Sequence, residues 1–232
     1  RAALTKAGYL ILCRIMSKRS FLQNTNSQVK FVNRDIEAWL FTTLQWNLMA
    51  RSDGVGSLNL QNFSWKNDAL VIRFAQNKKD QEGLREDDEK HLYPNPLNPI
   101  VCPVLALAVY VFSGLVKDQP LFQNDGAKRF SDGMLSALKD MQQADLLNLG
   151  SHSRNDLGTH SLRKGSASYV TGIISGPNPA AVALRACWSL GGVQDRYIFQ
   201  QTGADQHVGR TVNCLPYTTL DLGCITPHFK RS

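Results

Sequence analysis

The chain has 232 residues, 43% of them hydrophobic and 9% aromatic, and its 26 Lys and Arg against 19 Asp and Glu give a formal net charge of +7. Leu, Val, Ile and Phe are spread over the whole length, which argues against disorder and for one globular domain with room for a small appendage. No apolar run reaches the roughly 18 residues needed to cross a bilayer; the longest, over residues 101–115, is interrupted by Cys102-Pro103 and Ser113-Gly114.

The first periodic segment, residues 4–16, places Leu4, Ala7, Leu10, Ile11 and Ile15 on one stripe and predicts a helix. Asn33 or Asp35 can cap a second helix carrying Ile36, Leu40, Leu44 and Leu48 to about Arg51, and Asp53-Gly54-Val55-Gly56 would end it. Alternating segments at 57–65 and 69–74, followed by His91-Leu92-Tyr93, predict three short antiparallel strands. The turn between the last two holds Asn77-Lys78-Lys79-Asp80 and the run Arg85-Glu86-Asp87-Asp88-Glu89-Lys90, which puts two lysines on a mobile tip. Helical periodicity returns at 104–112, 131–149 and 160–174; Gly176-Pro177-Asn178-Pro179 breaks it, and shorter helices are expected at 180–187 and, after Gly191-Gly192, at 193–201. The expected fold is mainly α, of α+β character: a helical bundle with a small three-stranded antiparallel sheet.

Five cysteines, Cys13, Cys102, Cys187, Cys214 and Cys224, are odd in number, far apart and without a C-x-x-C pair, which points to a reducing compartment rather than a disulfide framework or a zinc site. The five histidines show no metal-ligand spacing with cysteine or acid, so no metal is expected. The chain opens on Arg1 without the pattern of a signal peptide and reads as a piece of a longer protein. Charge is uneven: residues 1–50 carry seven Lys and Arg against two acids, residues 151–200 five against two, and the hundred between them eleven against thirteen. Two basic ends around a nearly neutral middle suit a chain that holds a polyanion, and suit a solvated basic face equally well.

Two segments concentrate chemistry. In Gly158-Thr159-His160-Ser161-Leu162-Arg163-Lys164-Gly165, the imidazole and guanidinium are three residues apart, so on a helix both could reach one phosphate. The small residues that follow, Gly165, Ser166, Ala167 and Ser168, would let that helix approach a neighbour or a ligand backbone closely. In Ala186-Cys187-Trp188-Ser189-Leu190-Gly191-Gly192-Val193-Gln194-Asp195-Arg196-Tyr197, Trp188 and Tyr197 are nine residues apart, with glycines that let the chain turn between them. Alone, each segment reads equally as a capped surface helix or as core aromatics.

Their order changes the reading. Arg51 at the end of an early helix, Lys78 on a hairpin tip, His160 and Arg163, then Trp188 nine residues before Tyr197 resemble the catalytic domain of the tyrosine recombinases, the phage-integrase superfamily. The resemblance runs from about residue 36 to 200. The stretches Asn77-Lys78-Lys79-Asp80-Gln81-Glu82-Gly83 and Leu92-Tyr93-Pro94-Asn95-Pro96, with His160-Ser161-Leu162-Arg163-Lys164-Gly165, look most like recombinases of eukaryotic mobile elements of the Crypton and DIRS kind.

The resemblance implies the family's catalytic fold and its chemistry without metal or other cofactor. Tyr197 would attack a DNA phosphate and leave a 3′-phosphotyrosyl ester. Arg51 and Arg163 would bind the non-bridging oxygens, His160 would assist the phosphate and the tyrosine proton, Lys78 or its neighbour Lys79 would protonate the leaving 5′-oxygen, and the Trp188 indole N–H would donate to the phosphate where many members carry histidine. Double-stranded DNA and further copies of the chain, as dimer or tetramer, are the implied partners, with no membrane, and the nucleus is the implied location for a eukaryotic element, the cytoplasm otherwise. On this pattern residues 1–35 lead in from a DNA-clamping domain, 36–202 form the catalytic domain, and 203–232 form a tail that docks on a neighbouring protomer or on the chain itself. Two features depart from the family: an acid is expected three residues after the first arginine, where Gly54 stands, and Glu86 to Glu89 crowd negative charge beside the lysines. A silent DNA-binding module, a type IB topoisomerase and, more remotely, a Cys187/His160 hydrolase are the competing readings.

Overall fold

A computed structural model of the chain describes residues 2–22, 29–74, 89–116, 120–122, 126–141, 143–150, 153–192, 198 and 201–216. Helix α2 (Val29–Leu48) is its axis, and α1 (Lys6–Leu22), α4 (Pro103–Phe112), α5 (Gly126–Lys139) and α7 (Thr159–Thr171) pack around it. From Asp35 onward every residue of α2 is buried, as expected of a helix whose apolar positions cover its whole circumference. Three of its polar side chains donate back along the helix: Thr42 to the Ala38 carbonyl at 2.7 Å, Thr43 to Leu40 at 2.9 Å and Asn47 to Thr43 at 2.9 Å. Trp39 and Trp46 send their indole N–H groups to the carbonyls of Ile100 and Val212, at 2.7 and 3.2 Å. Tyr9 of α1 stacks on Trp46 with ring centroids 4.2 Å apart, which ties α1 into the core built on α2.

The mostly helical chain carries one three-stranded antiparallel sheet, in the order β1 (Phe63–Lys66), β2 (Ala69–Ile72), β3 (Lys90–Leu92). Lys66 pairs with Ala69 across a two-residue turn in which Asn67 takes φ of 56°, a conformation asparagine tolerates. In register, Phe63, Ile72 and Lys90 share one face of the sheet, and Ser64, Val71 and His91 share the other. The second face of β3 is covered by the last described helix, α9 (Thr202–Val212), at a point where a Cβ on Gly209 would stand 2.5 Å from the His91 carbonyl oxygen. Glycine is what lets that helix lie on the strand.

Three short helices complete the set: α3 (Ser52–Gly56), α6 (Gln143–Asn148) and α8 (Pro179–Arg185). The single helix expected over 131–149 is two, α5 and α6, because the chain turns at Asp140 and Met141. Strand β3 begins at Lys90, one residue before the expected His91. Residues 193–197 and 199–200 of the helix expected at 193–201, and the hairpin tip with Lys78 and Lys79, lie outside the described residues. No described helix is long and apolar enough to cross a membrane.

Candidate anion-binding site

Arg51 sits at the corner between two helices. α2 stops at Met49, whose φ of 51° turns the chain left-handed, and Arg51 then takes the extended N-cap position of α3, its carbonyl accepting from the Val55 N–H at 3.1 Å. The backbone is pinned there while the side chain is exposed. Arg163 lies one turn inside α7 and is buried, at 7% exposure. Its guanidinium donates to the Ala186 carbonyl at 2.5 Å and lies 5.5 Å from the centre of the Trp188 ring. The turn after α8 that supplies both contacts is tight: Cys187 takes φ of 52°, and its N–H and that of Trp188 return to the carbonyls of Leu184 and Ala183. Trp188 remains 41% exposed, so its ring can meet a ligand.

Sequence reasoning missed a third cation. Lys90 of β3 is 2% exposed, its ammonium donates to the Cys187 Sγ at 3.1 Å, and it lies 4.8 Å from the centre of the Phe74 ring. The signal was its place at the start of an alternating strand, obscured by the acidic residues before it. Glu89, the nearest of those, points to Lys66 and Arg73, pairing with Lys66 at 2.8 Å. Burial, and after it the like charge of Arg51, draw the Arg163 pKa below its usual value, while Cys187 acts the other way. Among the described residues no carboxylate pairs with Arg51, Lys90 or Arg163. Cations held together without a counter-charge repel one another, and an anion bound between them relieves that repulsion.

His160 stands in the first turn of α7, exposed, three residues before Arg163. It lines a cleft with Ser131, Met134 and Leu135 of α5 and with Gly158 and Thr159, and no contact between its ring and Arg163 is made. The described part of the site therefore sets Trp188 beside Arg163, brings Arg51 within electrostatic reach of it and adds Cys187 with Lys90, while His160 faces the separate cleft beside α5. Lys78, Lys79 and Tyr197 lie outside the described residues. No group of three or more potential metal ligands occurs among the described residues.

In chemical terms the arrangement is a candidate site for an oxyanion, with guanidinium and ammonium groups supplied by separate elements. No protein-family model matches the chain, and no curated protein matches it in sequence. Among solved structures it is similar to the XerH site-specific recombinase, in a crystal structure bound to its difH substrate as a pre-cleavage complex, with a TM-score of 0.48 and 13% identity. The match covers 84% of this chain and 49% of that one, so the chain spans about half the length of the recombinase.

Proposed function

We propose that the chain is the catalytic part of a tyrosine recombinase that cuts and rejoins duplex DNA through a 3′-phosphotyrosyl intermediate. The observation that carries this reading is Arg163, buried against Trp188 and feeling the like charge of Arg51, 112 positions away in the sequence, with no carboxylate paired to either arginine among the described residues. Planar, permanently charged guanidinium groups suit the two non-bridging oxygens of a phosphodiester and the charge that grows on them in a pentavalent transition state.

In the reaction the Tyr197 hydroxyl gives up its proton, its oxygen bonds to phosphorus, and the bond from phosphorus to the 5′-oxygen breaks, with a proton passing to that oxygen. The phosphotyrosyl ester conserves the energy of the broken phosphodiester bond, so the reverse steps reseal DNA without nucleotide hydrolysis. His160, beside the arginine on α7, is the residue for the tyrosine proton. A lysine supplies the proton for the leaving oxygen: Lys78 by family position, with Lys90 as a further cation holding the phosphate. Duplex DNA and further copies of the chain are the partners of this function, and a recombinase of a eukaryotic mobile element would work in the nucleus.

The test is covalent trapping on labelled duplexes from the ends of the DNA element that encodes the protein, nicked so that religation fails, in EDTA and on a denaturing gel. The parent chain forms a slow-migrating adduct and Tyr197→Phe forms none. An adduct with Tyr197→Phe overturns the nucleophile, and binding without any adduct, by the parent and by the full-length protein, leaves a DNA-binding module.

A further inference from the structure

Arg185, the last residue of α8, has 0% of its surface exposed, and each of its five N–H donors has an acceptor. Nε and one Nη2 donor meet the Asn47 carbonyl at 3.1 and 2.9 Å, and the other Nη2 donor meets the His91 carbonyl at 2.9 Å. Nη1 reaches the Asp205 carbonyl at 3.3 Å and its carboxylate Oδ1 at 2.5 Å. Asp205, also fully buried at its side chain, turns its other oxygen to the His91 N–H at 2.8 Å and to the His91 ring Nδ1 at 2.9 Å. Burial alone would push the Asp205 carboxyl up; the Arg185 charge and the hydrogen bonds from His91 reverse this and hold it below the ordinary value.

Two partners of this guanidinium, and Arg185 itself, lie close in sequence to residues of the anion site. Asn47, the last residue but one of α2, stands four residues before Arg51; His91 follows Lys90; Arg185 precedes Cys187 by two residues and Trp188 by three; Asp205 adds the tie to α9. A buried ion pair does little for net stability compared with apolar side chains of the same volume. A saturated fork, by contrast, fixes directions: lysine, with one compact ammonium, cannot span three acceptors on three elements. We propose that Arg185 is the positioning residue of the site, setting the ends of α2, β3 and α9 against α8 so that Arg51, Lys90 and Trp188 address one phosphate. This rests on the phosphodiester reading given above.

The experiment is a double-mutant cycle between Arg185→Lys and Arg51→Ala, read as affinity for a labelled duplex at fixed low salt, with melting curves to establish folding. Arg51→Ala weakens the parent about tenfold, the loss of one charged phosphate contact, and costs less than about twofold in the Arg185→Lys background, where Arg51 has already lost its place. A role in stability alone leaves the two effects additive. Asp205→Asn, which keeps shape and most hydrogen bonds, repeats the cycle if Arg185→Lys does not fold. Additivity in a folded variant overturns the positioning role and leaves the phosphodiester reading standing. If Arg51→Ala and Arg163→Ala leave the parent's affinity unchanged, that reading falls and this inference with it; if neither Arg185→Lys nor Asp205→Asn folds, Arg185 serves the fold alone and the proposal is overturned.

Discussion

Lys90 shows what a residue's neighbours in sequence conceal. It follows an acidic run, and its charge reads as cancelled by Glu89. Strand alternation separates them: Glu89 pairs with Lys66 and Arg73, where their hydrogen bonds, Lys66 first, hold its carboxyl below the ordinary value despite burial, while Lys90 turns inward to Cys187 and Phe74. Arg163 and Trp188 were legible because they stand in segments whose spacing can be read in one dimension, and Arg51 only by its order before them in the family resemblance. Lys90 was not, because only the register of a three-residue strand decides which way it points. Replacing it by Met keeps the chain length and the packing on Phe74 while removing the charge. Lys90→Met is expected to weaken duplex binding and to reduce the slope of log affinity against log salt by about 0.9, one phosphate contact. An unchanged slope, measured between low and moderate salt, would place Lys90 outside the site.

At the scale of elements, α7 is set by its small residues. Gly165 and Ala167 are buried, and the sequence run from Gly165 to Ser168 already implied a close approach without saying to what. The partner is the N-terminal segment: the Leu4 N–H donates to the Ser161 carbonyl at 3.0 Å, and a Cβ on Gly165 would fall 1.9 Å from the Leu4 carbonyl oxygen and 3.0 Å from Trp46. That contact joins residues more than 150 positions apart, so no local pattern could have named it. It also places the helix that bears His160 and Arg163. Gly165→Ala must therefore push α7 off its neighbour, at a cost of about 3 kcal/mol or more, which for a chain of this size lowers the melting temperature by about 6 °C or more. Gly203→Ala in the first turn of α9, where an added Cβ meets nothing within 4 Å, is the control and should be neutral or slightly stabilising. Equal melting temperatures for the two variants would contradict the packing of α7.

For the whole molecule, periodicity predicted a helical bundle with a three-stranded antiparallel sheet, and that is the architecture found. What periodicity could not convey is that one helix, α2, is enclosed on every side from Asp35 onward, and that buried polar groups join its end to the sheet and to α9. Those groups set the pH limits of the fold. Asp205 is held below its ordinary value by Arg185 and His91 against the effect of burial, so its contribution is complete above the unfolded carboxylate range near pH 4 and is lost as the pH falls below it. Asp35 works in the opposite sense, since burial pushes its carboxyl up against the pull of Arg19 and Arg34, and it gains in the folded state as the pH falls. At the alkaline end burial raises Tyr9 well above its usual value and Tyr93 to about 12. The unfolded chain releases these protons near pH 10 while the folded chain keeps them, so stability is intact below about pH 10 and declines as the pH rises toward 12. Tyr93→Phe isolates one of these contributions: among the described residues no hydrogen bond of ordinary geometry reaches the hydroxyl, and Arg210, the cation nearest it, lies 4.3 Å from the ring centre, a contact phenylalanine keeps. Melting temperatures taken from pH 7 to 12 should coincide for the two proteins near neutrality and fall less steeply for Tyr93→Phe above pH 10; parallel declines would mean that Tyr93 ionises as freely in the folded chain as in the unfolded one.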